Sequence, residues 1–211
     1  MEPVQPLFRT LRGDGQSEIE IKRSRFLGRA LPIQAEEDAR AAIAEVRHRH
    51  PEARHHAFAY RVGRAGEIAR FSDDGEPGGT AGRPIMEVLL RGGVTDAVVV
   101  VTRYFGGILL GSGGLTRAYS QTATEAVRNA APVEVRPYIV LSITVDYAQF
   151  GALEQALTRH GLALHDSVFT DVVGTVIHVP SIGVPAVTAL VADTTAGTAL
   201  VEEQGIIYIR S

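Results

Sequence analysis

The sequence predicts a mixed α+β protein built as two domains, residues 1–136 and 137–211. Three observations carry that reading. Charge is uneven: 19 Arg and Lys against 17 Asp and Glu up to Arg136 give +2, whereas 2 basic and 7 acidic residues after it give −5. Glycine is uneven too, with 11 of 22 falling between Gly75 and Gly114. Period-two alternation and helical spacing are interspersed in both halves, the mark of strands mixed with helices. Pro132 and Pro137 sit at the junction and disfavour a helix running through it.

In the first half, Glu18 to Arg23 alternates charged residues with Ile, as a half-buried strand does. Arg25 to Ile33 reads as its hairpin partner. Glu36 to His48 places Ala39, Ala42, Ile43 and Val46 on one helical face, and its acidic start suits the positive end of a helix dipole. His56 to Val62 and Glu67 to Phe71 read as strands around a Gly63–Gly66 turn. A glycine-rich segment then leads into a short helix near Arg83 to Leu90. Ala97 to Phe105, with four consecutive Val, predicts a strand buried on both faces. A second glycine loop, Gly106 to Gly114, feeds a helix from about Leu115 to Asn129.

The second half reads as a strand (Ile139 to Tyr147), a helix (Phe150 to His160, ending at Gly161) and two strands (Leu162 to Phe169, Asp171 to Val179). A helix (Val184 to Ala192) and a last strand (Gly205 to Arg210) follow. The order β-α-β-β-α-β is the ferredoxin-like pattern.

Composition excludes several chemistries. The 211 residues contain no Cys, so disulfides, thiolate nucleophiles, Cys-ligated zinc and iron–sulfur sites are ruled out. The longest apolar run, Ala97 to Val101, is far too short to span a bilayer. The opening Met-Glu-Pro-Val-Gln-Pro has neither a basic nor an apolar signal region. A soluble cytoplasmic protein with no membrane contact is expected.

The chemistry concentrates in the two glycine-rich loops. In the first, Asp73, Asp74 and Glu76 leave a strand into a turn. Clustered carboxylates suit a Mg²⁺ ion or an acid–base pair, with His56 as a nearby proton shuttle. Turn chemistry alone explains Asp-Asp-Gly, with Asp73 capping free amides, and is the favoured reading. Thr80 and its glycines offer N–H groups at a helix start, either to an anion or to Thr80 as an ordinary N-cap. Arg83 follows at once.

The second loop runs from Arg103 and Tyr104 through Ser112, Gly113 and Gly114 to Arg117. Its strand–glycine loop–helix layout can cradle phosphate. The phosphate-binding fingerprints of nucleotide hydrolases fail, because Ser112 stands where Lys is needed and Thr116 replaces the last glycine of the dinucleotide motif. What remains is a general anion site of helix N-terminus, Ser112, Thr116, Arg103 and Arg117, with Tyr104, Phe105 and Tyr119 able to stack on bases. Against it stands close backbone packing with the aromatics in the core, and both readings stay open. His48, His50, His55 and His56 lie within nine residues, but the first pair diverges at a helix end and the second alternates across a strand. No metal and no cofactor is expected.

Two long segments, RFSDDGEPGGTAGRPI and VVVTRYFGGILLGSGGLTRAYSQTATEAV, resemble the twin signatures of the YigZ/IMPACT family. SRFLGRALPI and RHHAFAYRV are similar to its earlier strand motifs, in the expected order. The resemblance implies an N-terminal α/β sandwich of the ribosomal-protein/elongation-factor type with a left-handed βαβ unit. It implies a ferredoxin-like C-terminal domain similar to the last domain of elongation factor G. Eukaryotic relatives regulate translation by competing for an activator of a stress-responsive kinase, partly through a further domain not found in these 211 residues. The resemblance brings no catalytic residue.

The leading expectation is therefore a non-catalytic, translation-associated protein that binds RNA, the ribosome or a translation factor, with Arg83, Arg103 and Arg117 on phosphate and Tyr104 stacking. The acidic second domain would face a protein partner. The alternatives are a metal-dependent phosphoester or nucleotide hydrolase using Asp73, Asp74, Glu76 and His56, and a pure protein-interaction module.

Overall fold

The computed structural model describes residues 8–210. It is a mixed α+β protein whose chain divides into two compact units, one ending at Glu134 and the other beginning at Val135. Among the described residues no helix is long and apolar enough to cross a membrane.

The first unit contains β1 (Phe8–Leu11), β2 (Gly15–Ile21), β3 (Ser24–Pro32), α1 (Glu36–Arg49), β4 (His55–Val62), β5 (Ile68–Ser72), α2 (Gly82–Arg91), β6 (Ala97–Tyr104) and α3 (Ser112–Asn129). Five strands form one sheet in the order β2-β3-β6-β4-β5, antiparallel at every neighbour. The valine-rich β6 is its centre. Ala97, Val99 and Val101 pack on one face against α2 and α3, whereas Val98 and Val100 pack on the other against α1. Alternation thus buries both faces of one strand, which is why that segment reads as an unbroken apolar run.

The same topology fixes a chirality. β3 and β4 are parallel across β6 and are joined by α1; β5 and β6 are parallel across β4 and are joined by α2. The second crossover has the opposite strand direction, the opposite direction of travel and its helix on the opposite face. Three reversals invert handedness, so one of the two βαβ units is left-handed, against the strong right-handed preference of such connections.

Two of the boundaries that depart from the sequence reading have local causes. β2 stops at Ile21 because Lys22 and Arg23 both take positive φ, 48° and 63°, making a two-residue hairpin turn into Ser24. Charge alternation continues through that turn and hides it. α3 begins at Ser112 rather than Leu115, since the Leu115 N–H already donates to Gly111 O, 3.0 Å. Ser and Gly are weak helix formers, so propensity understates this first turn.

The second unit runs β7 (Pro132–Val145), α4 (Tyr147–Arg159), β8 (Leu164–Phe169), β9 (Val173–Pro180), α5 (Val184–Thr194) and β10 (Leu200–Arg210). The first strand lies between the last and the third, with the second outermost, which is the ferredoxin-like order. Leu141, Ile143 and Val145 of β7 meet Leu153 and Leu157 of α4 and Val191 of α5 in its core. β7 starts at Pro132, seven residues before the expected Ile139. Pro132 is the strand's first residue and Pro137 precedes its ladder with β9, which opens at Tyr138, so both prolines are tolerated there.

Candidate functional site

The loop after β5 spends its carboxylates one at a time. Asp73 turns back onto the start of α2. Its Oδ1 accepts the N–H groups of Ala81 and Gly82, both at 2.9 Å, and its Oδ2 accepts that of Gly79, 2.8 Å. Burial alone would raise this carboxyl, but the three N–H groups outweigh it and hold it below its usual value. Asp73 is thus the cap. Thr80 is not, because its hydroxyl donates to Pro77 O, 2.6 Å, and the N-cap position falls on Ala81. Asp74 accepts the His56 N–H on Oδ2, 2.7 Å, and pairs through Oδ1 with Arg47 of α1.

Glu76 goes inward. Its Oε1 accepts from Arg103 Nη1 at 2.7 Å and from the Tyr119 hydroxyl at 2.8 Å. The Glu76 and Arg103 side chains are 3% and 6% exposed. Arg103 lies 5.5 Å from the Phe26 ring centroid and 5.4 Å from that of Phe105. Its Nη2 reaches Ser24 Oγ at 3.5 Å, and that oxygen also accepts the Gly106 N–H at 3.1 Å. A Cβ on Gly106 would fall 2.1 Å from the Arg23 carbonyl carbon, so only glycine lets the loop press onto the β2–β3 turn. Burial, then the adjacent carboxylate, pushes the Tyr119 phenol far above its usual range, so it is a neutral donor.

Beyond this ion pair the loop opens. A cleft of about 420 Å³ is lined by Arg54, His55, Glu76 and Arg103 on its polar side and by Pro77, Phe105, Leu109, Leu110 and Leu115 on its apolar side, with Gly111 and Ser112 at its edge. Gly111, at φ 74°, is the N-cap of α3 and brings no side-chain bond to the helix start; the first turn has no acidic residue. The N–H groups of Ser112, Gly113 and Gly114 are consequently available to an anion.

The expected site residues divide into three groups. Glu76 and Arg103 meet each other, but as a buried ion pair, so Arg103 is not a surface phosphate contact. Asp73, Asp74 and His56 are absorbed by local structure. His56 is buried with its ring nitrogen 3.1 Å from Thr102 Oγ1. Burial lowers its pKa, with Asp74 opposing and Arg47 adding to the effect. The three carboxylates and His56 do not converge, and no group of metal-ligating side chains forms among the described residues. Arg83 is exposed beside Glu87, 3.7 Å, and Arg117 is exposed on the first turns of α3. Tyr104 lies on the sheet face opposite Arg103, its hydroxyl 3.0 Å from His50 Nδ1 and its ring under Arg25. Tyr119 is fully buried and cannot stack on a base, because helical spacing puts it with Leu115, Ala118 and Thr122 on the inner face of α3.

His55, rather than His56, reaches the cleft, its Nδ1 2.9 Å from Asp74 O. Strand alternation carries the signal: His55 pairs with Arg103 in the register and shares its face. Arg54 and the exposed Leu109 lie within the quoted family motifs but are not singled out as site residues by the sequence, because their place at the cleft follows only from the path of the chain.

Comparison with known proteins agrees with this architecture. Residues 22–127 match the Impact N-terminal domain, and residues 143–198 match a domain of unknown function, DUF1949. An IMPACT family member in the pol 5′ region of Thermus thermophilus is 39% identical over 86% of this chain and 99% of its own length. IMPACT family member YvyE of Bacillus subtilis (strain 168) is 32% identical over 95% and 92% of the two chains. IMPACT family member YigZ of Escherichia coli (strain K12) is 35% identical over 85% and 89%. A crystal structure of a hypothetical protein superposes with a TM-score of 0.59 at 32% identity, covering 92% of this chain and 95% of that one. Two matched domains in sequence order and relatives spanning nearly the whole chain place this protein in the IMPACT family.

Proposed function

We propose that this protein is a non-catalytic binding protein of translation regulation, which engages RNA, the ribosome or a translation factor through the cleft at the start of α3. One observation supports this reading above the others: α3 opens on the cleft with its first N–H groups free of any side-chain cap and no acid in its first turn. Partial positive charge at a helix start, with Arg54 and Arg117 nearby, suits a phosphate. The hydrolase reading has little left, since each of its carboxylates already holds a protein donor.

The test is ribosome or single-stranded RNA binding at increasing salt. Phosphate contacts release counterions, so affinity should fall steeply from about 50 mM to about 300 mM salt. Ser112→Asp should remove binding without harming the fold, because an acid at a helix start is favourable. Binding unchanged by salt and by Ser112→Asp would reject the phosphate-contact reading. The exposed Phe105, Ile108 and Leu109 favour a second reading, a protein-interaction module. That reading gains if the protein ignores RNA at low salt while Leu109→Asp releases a protein partner.

A further inference from the structure

We propose that the outer edge of the second unit, where the start of α4 meets the end of β8, docks a basic protein segment that carries an apolar anchor. This surface lies wholly within the second unit and stands whether or not the α3 cleft binds RNA.

An exposed aromatic patch carries it. Tyr147 opens α4 and is 53% exposed; Val168 and Phe169 end β8 and are 59% and 57% exposed. Phe169 meets both aromatic rings of α4, its centroid 5.5 Å from that of Phe150 and 6.3 Å from that of Tyr147. The Tyr147 hydroxyl donates to Thr170 O, 2.7 Å, and ties the helix start to the turn after β8. β8 is the outermost strand, so among the described residues no further strand covers this side. Large apolar side chains set together at the surface and rimmed by charge mark an interaction surface. Rings already held by their neighbours lose little freedom on binding, which suits them as anchors.

The charge around the patch selects the partner. Asp146 precedes Tyr147, and Glu154 lies on the helical face of Tyr147 and Phe150. Asp166 lies two residues before Val168, and Asp171 lies in the turn after β8; all four acids are exposed. They are four of the seven that follow Arg136. The two bases that follow it, Arg159 and Arg210, lie at the other end of the unit. Arg159 closes α4, and Arg210 pairs with Val135 near the start of β7, whereas the end of β7 pairs with Val173 beside the patch. The exposed rings therefore sit in a negative field that no Arg or Lys of their own unit offsets nearby. Such a field repels a phosphate backbone and attracts Lys and Arg. An apolar centre with a charged rim is the anatomy of a protein interface.

The experiment titrates the full chain with three labelled peptides, alternating Lys with Leu, Lys with Ser, and Glu with Leu. The Lys–Leu peptide should bind about tenfold tighter than the Lys–Ser peptide, the worth of one buried apolar anchor, and the Glu–Leu peptide should not bind. Glu154→Lys combined with Asp171→Lys, both surface changes, should weaken Lys–Leu binding about tenfold. Phe169→Ser should close the gap between the Lys–Leu and Lys–Ser peptides. Val168→Ser, which leaves the ring packing intact, should narrow it in the same direction. Equal binding of those two peptides would reduce the patch to charge alone and overturn the docking surface. Lys–Leu binding untouched by all four substitutions, or no Lys–Leu binding at all, would overturn it as well. Light scattering of the free chain tests a second copy as occupant: a dimer that Glu154→Lys dissociates would overturn the separate basic partner.

Discussion

The two glycine-rich loops of the first unit share one layout, strand to loop to helix, and have opposite outcomes. After β5 the loop supplies its own anion: the Asp73 carboxylate takes the N–H groups of Gly79, Ala81 and Gly82, and Pro84 has no N–H to offer. The α2 start is therefore closed to an outside ligand. After β6 no acid follows before the helix, Gly111 supplies only backbone, and the α3 start faces a cleft. The difference teaches that a glycine loop before a helix is an anion site only where the chain has not filled it. One well-placed carboxylate decides which.

That contrast can be broken from its floor. Glu76→Ala should be the most damaging change, leaving Arg103 buried and unpaired at a cost of about 3–5 kcal/mol in denaturant unfolding. Replacing both partners with Glu76→Leu and Arg103→Met should recover much of that loss, and failure to recover would mean that the pair does more than neutralise itself.

Next in size is Asp73→Ala. It should cost about 1–2 kcal/mol of stability as a lost helix cap. It should also convert the α2 start into a second phosphate site, detectable as a new binding event in a phosphate titration; no gain would break the comparison. The depressed Asp73 carboxyl gives a signed pH effect. The unfolded chain takes up its proton first, so this stability is present above the ordinary carboxyl pKa of about 3.9 and is lost as pH falls through the lower native value. Asp73→Ala should flatten the acid limb.

The reciprocal change, Ser112→Asp, should raise stability by about 0.5 kcal/mol while abolishing anion binding. Thermal melts and RNA titrations on one sample check both signs. The smallest effect belongs to His56. Its native pKa is lowered mainly by burial, so the unfolded chain binds the proton more readily, and stability is lost as pH falls below about 6.5 towards the lower native value. Urea midpoints at pH 7.5 and pH 5.5 should converge in His56→Gln.

Much of the fold was legible from periodicity. Apolar patterning and turn signals placed β3, β4, β6 and β9 to within two residues, and the unbroken Val run of β6 was correctly read as buried on both faces. The misplaced ends have local causes: a Lys-Arg turn inside a charged alternation, glycines opening α3, and prolines inside β7. The site was less legible. Asp73 as a cap was foreseen, because a carboxylate a few residues before a helix is a local signal. His55 was passed over for His56, although strand alternation puts the two on opposite faces and only one can reach the cleft.

The sequence by itself determined the α+β class, the two-domain division of charge and glycine, and the two glycine-rich segments whose loops line the cleft. Those properties are local, written in the period of apolar residues and in turn chemistry. Only the tertiary structure decided that Arg103 is a buried partner of Glu76, 27 residues away, and that Tyr119, 43 residues from Glu76, completes the set instead of stacking on a ligand. No period encodes such pairs. They form because the sheet order brings the end of β6, the loop after β5 and the inner face of α3 together, and because a charge taken out of water must find its opposite there.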